Sequence, residues 1–280
     1  MNIGEIRRWL QITGTPVQPL WLMWTHPRMI VFFLGVAALG LLARLPFAFV
    51  HILPSYISFQ PEVVLVPVAA VLWGPAGIWG CVAAGLLGDR WFGLDLALSM
   101  YRGLGILFFG LNMQVLGHGV LGGDSTDFAA GLGRSLQFLL AALPGGVLAA
   151  AWMAIGSEIL RIYPFSYVVS LLILNHTLFI ILFGLPLLNL ARWQIVRRFG
   201  TWQEVMSVEP GAYSRGVLSR TLMLAGGLGA CAIGLYISHA VYRISLIQPF
   251  MLGSTSGRWV SWTVWPFLLL NIYGLFRREK

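Results

Sequence analysis

Long apolar runs separated by short polar stretches dominate the chain. Most runs hold few charged residues and approach or exceed the roughly 20 residues that a helix needs to cross a bilayer. The runs cover residues 29–50, 63–88, 100–117, 135–160, 166–191, 217–241 and 259–276. This pattern predicts an all-α fold, a polytopic membrane bundle in which most runs form one crossing helix.

The second run is interrupted near its centre by the turn signal Gly74-Pro75-Ala76-Gly77. A proline inside a helix removes an amide donor and clashes with the preceding turn. We therefore predict a Gly-Pro-broken helical hairpin, which either crosses the membrane twice or re-enters from one side, so the bundle has six to eight membrane helices. Non-helical backbone at that depth must be buried in protein or line a water-filled cavity.

Composition excludes a soluble protein, and charge predicts the orientation. Hydrophobic residues make up 58% of the 280 residues and charged residues 10%, whereas soluble domains carry about 25% charged residues. Lys and Arg number 18 against 10 Asp and Glu, and they cluster in residues 7–28, 192–220 and 277–280. The positive-inside rule then predicts both termini on the cytoplasmic side of a bacterial-type inner membrane, and it explains the basic excess without nucleic acid binding.

These boundaries predict four parts of the chain. Residues 1–28 mix tryptophan with arginine, as expected of an interfacial N-terminal segment, although a disordered tail is the alternative. Residues 29–191 form a six-helix membrane core. Residues 192–216 form a cytoplasmic connection, and residues 217–280 form a C-terminal helical hairpin with a basic tail.

Small residues recur four positions apart in two of the runs. Such ridges allow neighbouring helix backbones to approach closely. They serve either packing inside the chain's own bundle or docking of a partner protein. The ridge residues are Gly77, Gly80, Cys81, Ala84, Gly85, Gly226, Ala230 and Gly234.

Polar groups in the runs supply the candidate binding residues. A charge in lipid is costly and needs a partner or water, so Arg44, Glu62, Arg102 and Glu158 either snorkel to an interface or form a solute site or an intramembrane pair, such as Glu62 with Arg102. Asp89 is expected in a solvated turn. The candidate substrate-binding residues are Glu62, Arg102, Asn112, Gln114, Asn175 and His176. For the amides, hydrogen bonding between helices is the alternative.

No motif in the chain predicts catalysis. Neither the H-E-x-x-H zinc motif nor the phosphate-cradling G-x-x-x-x-G-K-[ST] motif occurs, and no nucleophile stands at a recognisable spacing from a base. We expect no enzymatic activity, no metal site and no cofactor. Work driven by ATP hydrolysis must then come from another chain.

The segment FQPEVVLVPVAAVLWGPAGIWGCVAAGLLGD, residues 59–89, resembles the substrate-binding S components of energy-coupling-factor vitamin transporters. Those proteins often carry an apolar run, a G-P-x-x-G turn and a glycine-rich helix ending in G-D. The resemblance implies six helices with both termini inside. It also implies a vitamin-like or metal-related solute bound near the outer face, under a first extracytoplasmic loop that corresponds to residues 51–61.

Two features of this chain depart from that family. The first run lacks the A-x-x-x-A pattern by which many members dock on their transmembrane partner, and the chain continues past the sixth helix. These departures leave open a different partner or a membrane subunit that has lost transport.

The sequence therefore predicts a substrate-binding membrane subunit that relies on a separate ATP-driven module. The predicted partners are the lipid bilayer, a small solute and other membrane subunits, among them a transmembrane coupling protein and ATPases; nucleic acid is not among them. The alternative is a non-catalytic structural or anchoring subunit of a larger membrane complex. A sensory input domain that signals through another chain is a third interpretation.

Overall fold

The computed structural model of the protein describes residues 18–47, 50–53, 57–117, 128–191, 193–194, 197–208, 215–242 and 257–277. Within these residues the α-helices, in chain order, are α1 Gln18–Leu22, α2 Pro27–Arg44, α3 Leu65–Trp91, α4 Leu96–Leu116, α5 Phe128–Ile159, α6 Phe165–Phe179, α7 Leu185–Ala191, α8 Arg197–Phe199, α9 Trp202–Met206, α10 Val217–Tyr242 and α11 Gly257–Phe276. Short 3₁₀ turns are Met23–Thr25, Leu45–Phe47 and Pro61–Val64, and a π-helical turn, Ile180–Gly184, joins α6 to α7.

Seven helical stretches in the described part of the chain are long and apolar enough to cross a membrane. They are Pro27–Phe47, Pro61–Trp91, Leu96–Leu116, Leu132–Ile159, Phe165–Ala191, Val217–Ala240 and Trp259–Phe276. Each coincides with one of the seven predicted runs. The all-α polytopic bundle is confirmed, and the chain is a multi-pass membrane protein.

The predicted break in the second run is also confirmed. Gly74 has φ 51° and ψ −122°, which is not helical, and it divides α3 into an arm of residues 65–73 and an arm of residues 75–91. Ala69 and Gly77 touch across the break, since a Cβ at Gly77 would collide with the Ala69 carbonyl. Residues eight apart in a straight helix lie about 12 Å apart. The two arms therefore fold back on each other as a hairpin, called here the core hairpin.

The core hairpin reaches deep into the bundle. Its tip packs with Met29, near the start of α2, because Met29, Ala76 and Trp202 share one buried cluster. At the other end, the last turn of the second arm lies beside Arg44, the last residue of α2. At 1.5 Å per residue, the second arm is about 25 Å long and α2 about 27 Å. The second arm therefore passes along most of the length of α2, while the nine residues of the first arm, about 14 Å of helix, cover about half of it.

Neighbouring helices surround the core hairpin in sequence order. The second arm runs parallel to α2, with Gly80 against Val36 and Ala84 against Gly40. It runs antiparallel to α4, where Gly110 accepts the side chain of Ile78. Helices α5 and α6 then follow antiparallel to their predecessors, and α10 and α11 pair with each other and pack on α5 and α6. This order buries 94% of the most apolar part of the core hairpin.

Both small-residue ridges face the chain's own helices. In the core hairpin, a Cβ at Gly85 would lie 2.9 Å from Ile106 of α4. In the C-terminal pair, Gly226 lies against the backbone of Asn271, and Gly234 against Phe165. All eight ridge residues are buried within the chain, so they serve packing inside the bundle, and docking of a partner on them stays a prediction.

The segment expected to be a loop between the first two runs contains a small antiparallel sheet. Strand β1, His51–Leu53, pairs with β2, Ile57–Ser58, with His51 opposite Ser58. Strand pairing satisfies backbone groups that a loop would leave to water. This sheet stands between the end of α2 and the start of the core hairpin.

Two segments outside the predicted six-helix core, α1 and the predicted connection, contact the core hairpin. Of the predicted interfacial segment, residues 1–17 lie outside the described residues, while α1 contacts the core because Trp79 Nε1 donates to the Leu20 carbonyl at 3.1 Å. Within the predicted connection, Trp202 is 3% exposed, with its ring against Gly74. The four-part division of the chain itself stays a prediction.

Candidate functional site

Four charged side chains meet at the open end of the core hairpin. Arg102 Nη2 donates to Glu62 Oε1 at 2.6 Å, and Arg102 Nη1 donates to Asp89 Oδ1 at 2.6 Å. Arg44 Nη2 lies 2.6 Å from the same Asp89 oxygen, and Arg44 Nη1 donates to the Gly85 carbonyl at 3.3 Å. We call Arg44, Glu62, Asp89 and Arg102 the charge cluster.

The local fold brings each member of the charge cluster from a different element. Glu62 lies in the 3₁₀ turn before the first arm, and Asp89 lies near the end of the second arm. Arg44 ends α2, and Arg102 lies in the second turn of α4, whose N-terminus is capped by Asp95. Because the chain reverses at Gly74, the two ends of the core hairpin come together and both carboxylates reach one arginine.

The charge cluster is buried and formally neutral. Its side chains are between 0% and 9% exposed. Removing such groups from water costs several kcal/mol per ion, and close pairing with hydrogen bonds offsets this cost. The two carboxylates and two guanidinium groups balance in charge, so the cluster fastens α2, α4 and both arms without a net charge in the apolar core.

Pairing in the charge cluster leaves some buried polar atoms without a hydrogen bond to any described residue. They are Glu62 Oε2, Asp89 Oδ2 and Arg44 Nε. Arg44 Nε lies 3.8 Å from Glu62 Oε1, which is too long for a hydrogen bond. Buried polar groups are satisfied in most proteins, so each such atom is a place where water or a ligand would gain a contact.

A small cavity adjoins one side of the charge cluster. Its volume is about 30 Å³, and Glu62, Arg102, Gln60 and His176 supply its polar walls. Apolar residues of α2, the 3₁₀ turn, both arms, α4 and α5 complete it; they are Gly40, Val63, Leu65, Val66, Cys81, Ala84, Gly85, Ile106, Phe109, Ala149 and Met153. About one water fits in each 10–15 Å³ of such space, so the cavity has room for about two waters.

His176 belongs to α6 and is one of the residues that line the cavity. Its Nδ1 lies 2.9 Å from the Gly146 carbonyl of α5. A carbonyl oxygen can only accept, so Nδ1 carries the proton in this contact. A Cβ at position 146 would lie 3.1 Å from Ile180 Cδ1 and 3.4 Å from the His176 Cβ, so α5 and α6 pack closely at this glycine.

Three of the six predicted substrate-binding residues, Glu62, Arg102 and His176, line this cavity. Asn112 does not, since its amide exchanges hydrogen bonds with Asn271 of α11 at 3.0 and 3.2 Å. Gln114 and Asn175 also lie outside the cavity lining; both are buried, and their amide atoms have no partner among the described residues.

Some of the charged residues behave differently from the sequence-based expectation. Asp89 was expected in a solvated turn, but it is 0% exposed and binds both arginines of the charge cluster. Arg44 does not snorkel either, being 5% exposed. Glu158 is buried as well, and its Oε2 accepts from the Phe165 amide at 2.6 Å. The predicted Glu62–Arg102 pair is present.

Asp89 and Gln60 are the site residues that sequence reasoning missed, whereas Arg44 was among the charges for which a site or an intramembrane pair was one alternative. The signal for Asp89 lay in the hairpin prediction itself, since Asp89 and Glu62 stand at similar distances along the chain on either side of Gly74. A hairpin that reverses at Gly74 puts both carboxylates at one depth. Gln60 carried no comparable signal.

No family model, curated protein or solved structure matches the chain. Seven apolar helices make it a multi-pass membrane protein. Its function is therefore argued from the charge cluster and the cavity.

Proposed function

We propose that this protein is a non-enzymatic, substrate-binding subunit of a membrane transporter, which captures a small solute and relies on a separate ATP-driven module. The observation that carries the proposal is the cavity lined by Glu62, Arg102 and His176, enclosed by apolar helices. Enclosed sites with apolar walls and a few convergent polar groups are typical of small-molecule binding. The resemblance of residues 59–89 to the S components of energy-coupling-factor transporters supports the same assignment.

The orientation proposed for the chain places this cavity toward the outside. The tip of the core hairpin contacts Trp202, in the same segment as Arg197 and Arg198. Under the positive-inside rule this end of the bundle is cytoplasmic. The charge cluster and the β1–β2 sheet then lie at the extracytoplasmic end of a bacterial-type inner membrane, where a solute would arrive.

Capture of a vitamin-sized solute requires the cavity to expand. Sites for molecules of that size have volumes of about 300–1,000 Å³, whereas this cavity has about 30 Å³. Residues 57–61 supply Gln60 to the cavity wall. This segment contacts α6 through Phe59, whose ring packs edge-on against Phe179 at 6.2 Å between ring centroids. We expect the solute-bound form to move this segment away from α6.

The test is solute binding to the full-length protein, purified in detergent and reconstituted in nanodiscs. Equilibrium dialysis against a panel of vitamins and related solutes, with mass spectrometry of co-purified molecules, should identify at least one bound species. His176→Phe should weaken that binding about tenfold, since it removes a polar wall of the cavity. Ser238→Ala, in α10 and away from the cavity, should leave it unchanged. The absence of any bound solute across the panel would contradict the proposal.

A structural subunit of a larger membrane complex is the second candidate function. The observation that favours it is the same small volume, because room for about two waters beside a neutral charge cluster also suits a purely structural core. Gentle extraction from native membranes should then recover the chain in a defined complex that dissociates when the chain is deleted. A chain that is stable and monomeric in those membranes would exclude this candidate.

A further inference from the structure

The polar residues that line the cavity differ in whether they have a free hydrogen-bond donor or acceptor for a ligand. Arg102 already donates from both terminal nitrogens, to Glu62 Oε1 and to Asp89 Oδ1. The Glu62 side chain is 9% exposed, and its Oε2 accepts no hydrogen bond from any described residue. Of the charged pair Glu62 and Arg102, the group left without a hydrogen bond is therefore an acceptor, the Glu62 Oε2 oxygen.

His176 adds a second acceptor to the same cavity. Because Nδ1 donates to the Gly146 carbonyl, the neutral ring carries its lone pair on Nε2. No donor among the described residues contacts Nε2. Two residues that line the cavity, Glu62 and His176, thus each carry an acceptor atom without a donor from the described residues.

We propose that this cavity recognises its ligand through an N–H donor group, such as an ammonium, amine or amidine, and that it rejects carboxylates and phosphates. This inference rests on the proposed solute-binding function and adds the chemical class of the recognised group. A donor satisfies Glu62 Oε2 directly, and a cationic donor forms a charge-assisted hydrogen bond, which is stronger than a neutral one.

An anionic group has no charged donor to use in the cavity, where the neutral Gln60 amide is the remaining N–H donor of the lining side chains. It would face the free oxygen of Glu62, and it could approach Arg102 only by displacing a carboxylate from a 2.6 Å contact. A displaced carboxylate would remain buried without a partner, which is costly. The apolar walls, including Ile106 and Phe109, fit a short alkyl substituent on the donor.

The test compares small probes on the full-length protein in nanodiscs at constant ionic strength. Methylammonium chloride and low millimolar guanidinium chloride serve as donor probes, with sodium acetate and sodium phosphate as anionic probes. Titration calorimetry and the thermal unfolding midpoint report binding. The donor probes should bind and raise the midpoint of the wild-type protein, and the anionic probes should do neither.

Glu62→Gln is the variant that tests the role of the free acceptor most directly. Arg102 requires an oxygen acceptor, so the substituted side chain keeps its carbonyl toward Arg102 and turns its NH₂ into the cavity. The acceptor becomes a donor, and affinity for the donor probes should fall about tenfold or more. Glu204→Gln is the matched control, because the same substitution removes a carboxylate charge at an exposed residue of α9, outside both the charge cluster and the cavity lining, and glutamine still completes the capping box there; its effect on affinity should stay below about threefold.

Each outcome decides the inference. It is overturned if Glu204→Gln weakens binding of the donor probes as much as Glu62→Gln does, or if acetate or phosphate binds more tightly than the donor probes. It is also overturned if the donor probes do not bind, yet the proposed function survives whenever another solute of the panel binds. If Glu62→Gln fails to fold, His176→Phe provides the same comparison, since it removes the other acceptor.

Discussion

Two helical hairpins of this protein both pack their helices closely at glycines, but they differ in burial and in the polar contacts that join them to the rest of the bundle. The core hairpin, residues 65–91, and the C-terminal hairpin formed by α10 and α11 both bring backbones together at glycines, Gly77 against Ala69 in one and Gly226 against Asn271 in the other. Together with the 3₁₀ turn, residues 61–64, that leads into it, the core hairpin makes up the apolar stretch Pro61–Trp91. In the core hairpin, 94% of the most apolar window is buried, against 39% in α10 and 33% in α11.

The difference lies in how each hairpin is fastened to its surroundings. The core hairpin carries Glu62 and Asp89 at its open end, where two arginines bind them. The C-terminal hairpin is attached through neutral groups, namely the Asn112–Asn271 amide pair and the contact between Ser166 and Ser238. Small-residue spacing thus explains close approach, while the polar attachments distinguish the central hairpin from the peripheral one.

Removing one cation of the charge cluster should have the largest effect. Arg102→Met leaves Glu62 and Asp89 buried with reduced compensation, and breaking a buried pair in this way costs about 3–5 kcal/mol. Thermal or denaturant unfolding in detergent measures the loss. Arg90→Met, at an exposed arginine next to the charge cluster in sequence, is the control and should change the unfolding free energy by less than about 0.5 kcal/mol. Equal losses would show that the charge cluster does not fasten the core hairpin.

Filling the two glycine contacts should separate the roles of the hairpins. Gly77→Val drives a side chain into the Ala69 backbone, and Gly226→Val drives one into the Asn271 backbone; each should cost about 1–3 kcal/mol or more. Hydrogen exchange should rise throughout the bundle for Gly77→Val but mainly in α10 and α11 for Gly226→Val. Gly35→Ala is the control, since a Cβ there meets no atom within 4 Å. Identical exchange patterns in the two valine variants would contradict the comparison.

The amide attachment of the C-terminal hairpin should contribute least. A double-mutant cycle with Asn112→Leu and Asn271→Leu should give a coupling free energy near 0.6 kcal/mol and at most about 1.7 kcal/mol, the range of hydrogen bonds between membrane helices. Unfolding free energies in detergent provide all four corners of the cycle. A coupling as large as the loss in Arg102→Met would mean that the two hairpins are attached with similar strength.

The sequence was sufficient for the fold and for part of the candidate site. Apolar run length predicted the membrane helices, and Gly74-Pro75 predicted the reversal, because both signals are local. The Glu62–Arg102 pair followed from the cost of a charge in lipid. Asp89 was misplaced because its neighbours Arg90 and Asp95 are polar, which is also the pattern of a solvated turn.

The remaining features depend on contacts between distant parts of the chain. The Asn112–Asn271 pair joins two helices that are far apart in sequence, and nothing near either residue identifies the other. The same holds for His176, whose place in the cavity depends on how α6 packs against α5 beside Gly146. Which residues meet in such pairs depends on how the helices pack, whereas the spacing of residues along the sequence is compatible with many different pairings.

The connection between α7 and α10 contributes to the packing of the core hairpin through the indole of Trp202. Its ring lies on Gly74, where a Cβ would overlap its carbons, so an extramembrane residue completes the apex of the most enclosed hairpin. A chain cut after Ala191 would keep all the helices of the predicted six-helix core and still expose that apex. We therefore expect a chain cut after Ala191 to be less stable than one that extends to the end of α9 at Met206.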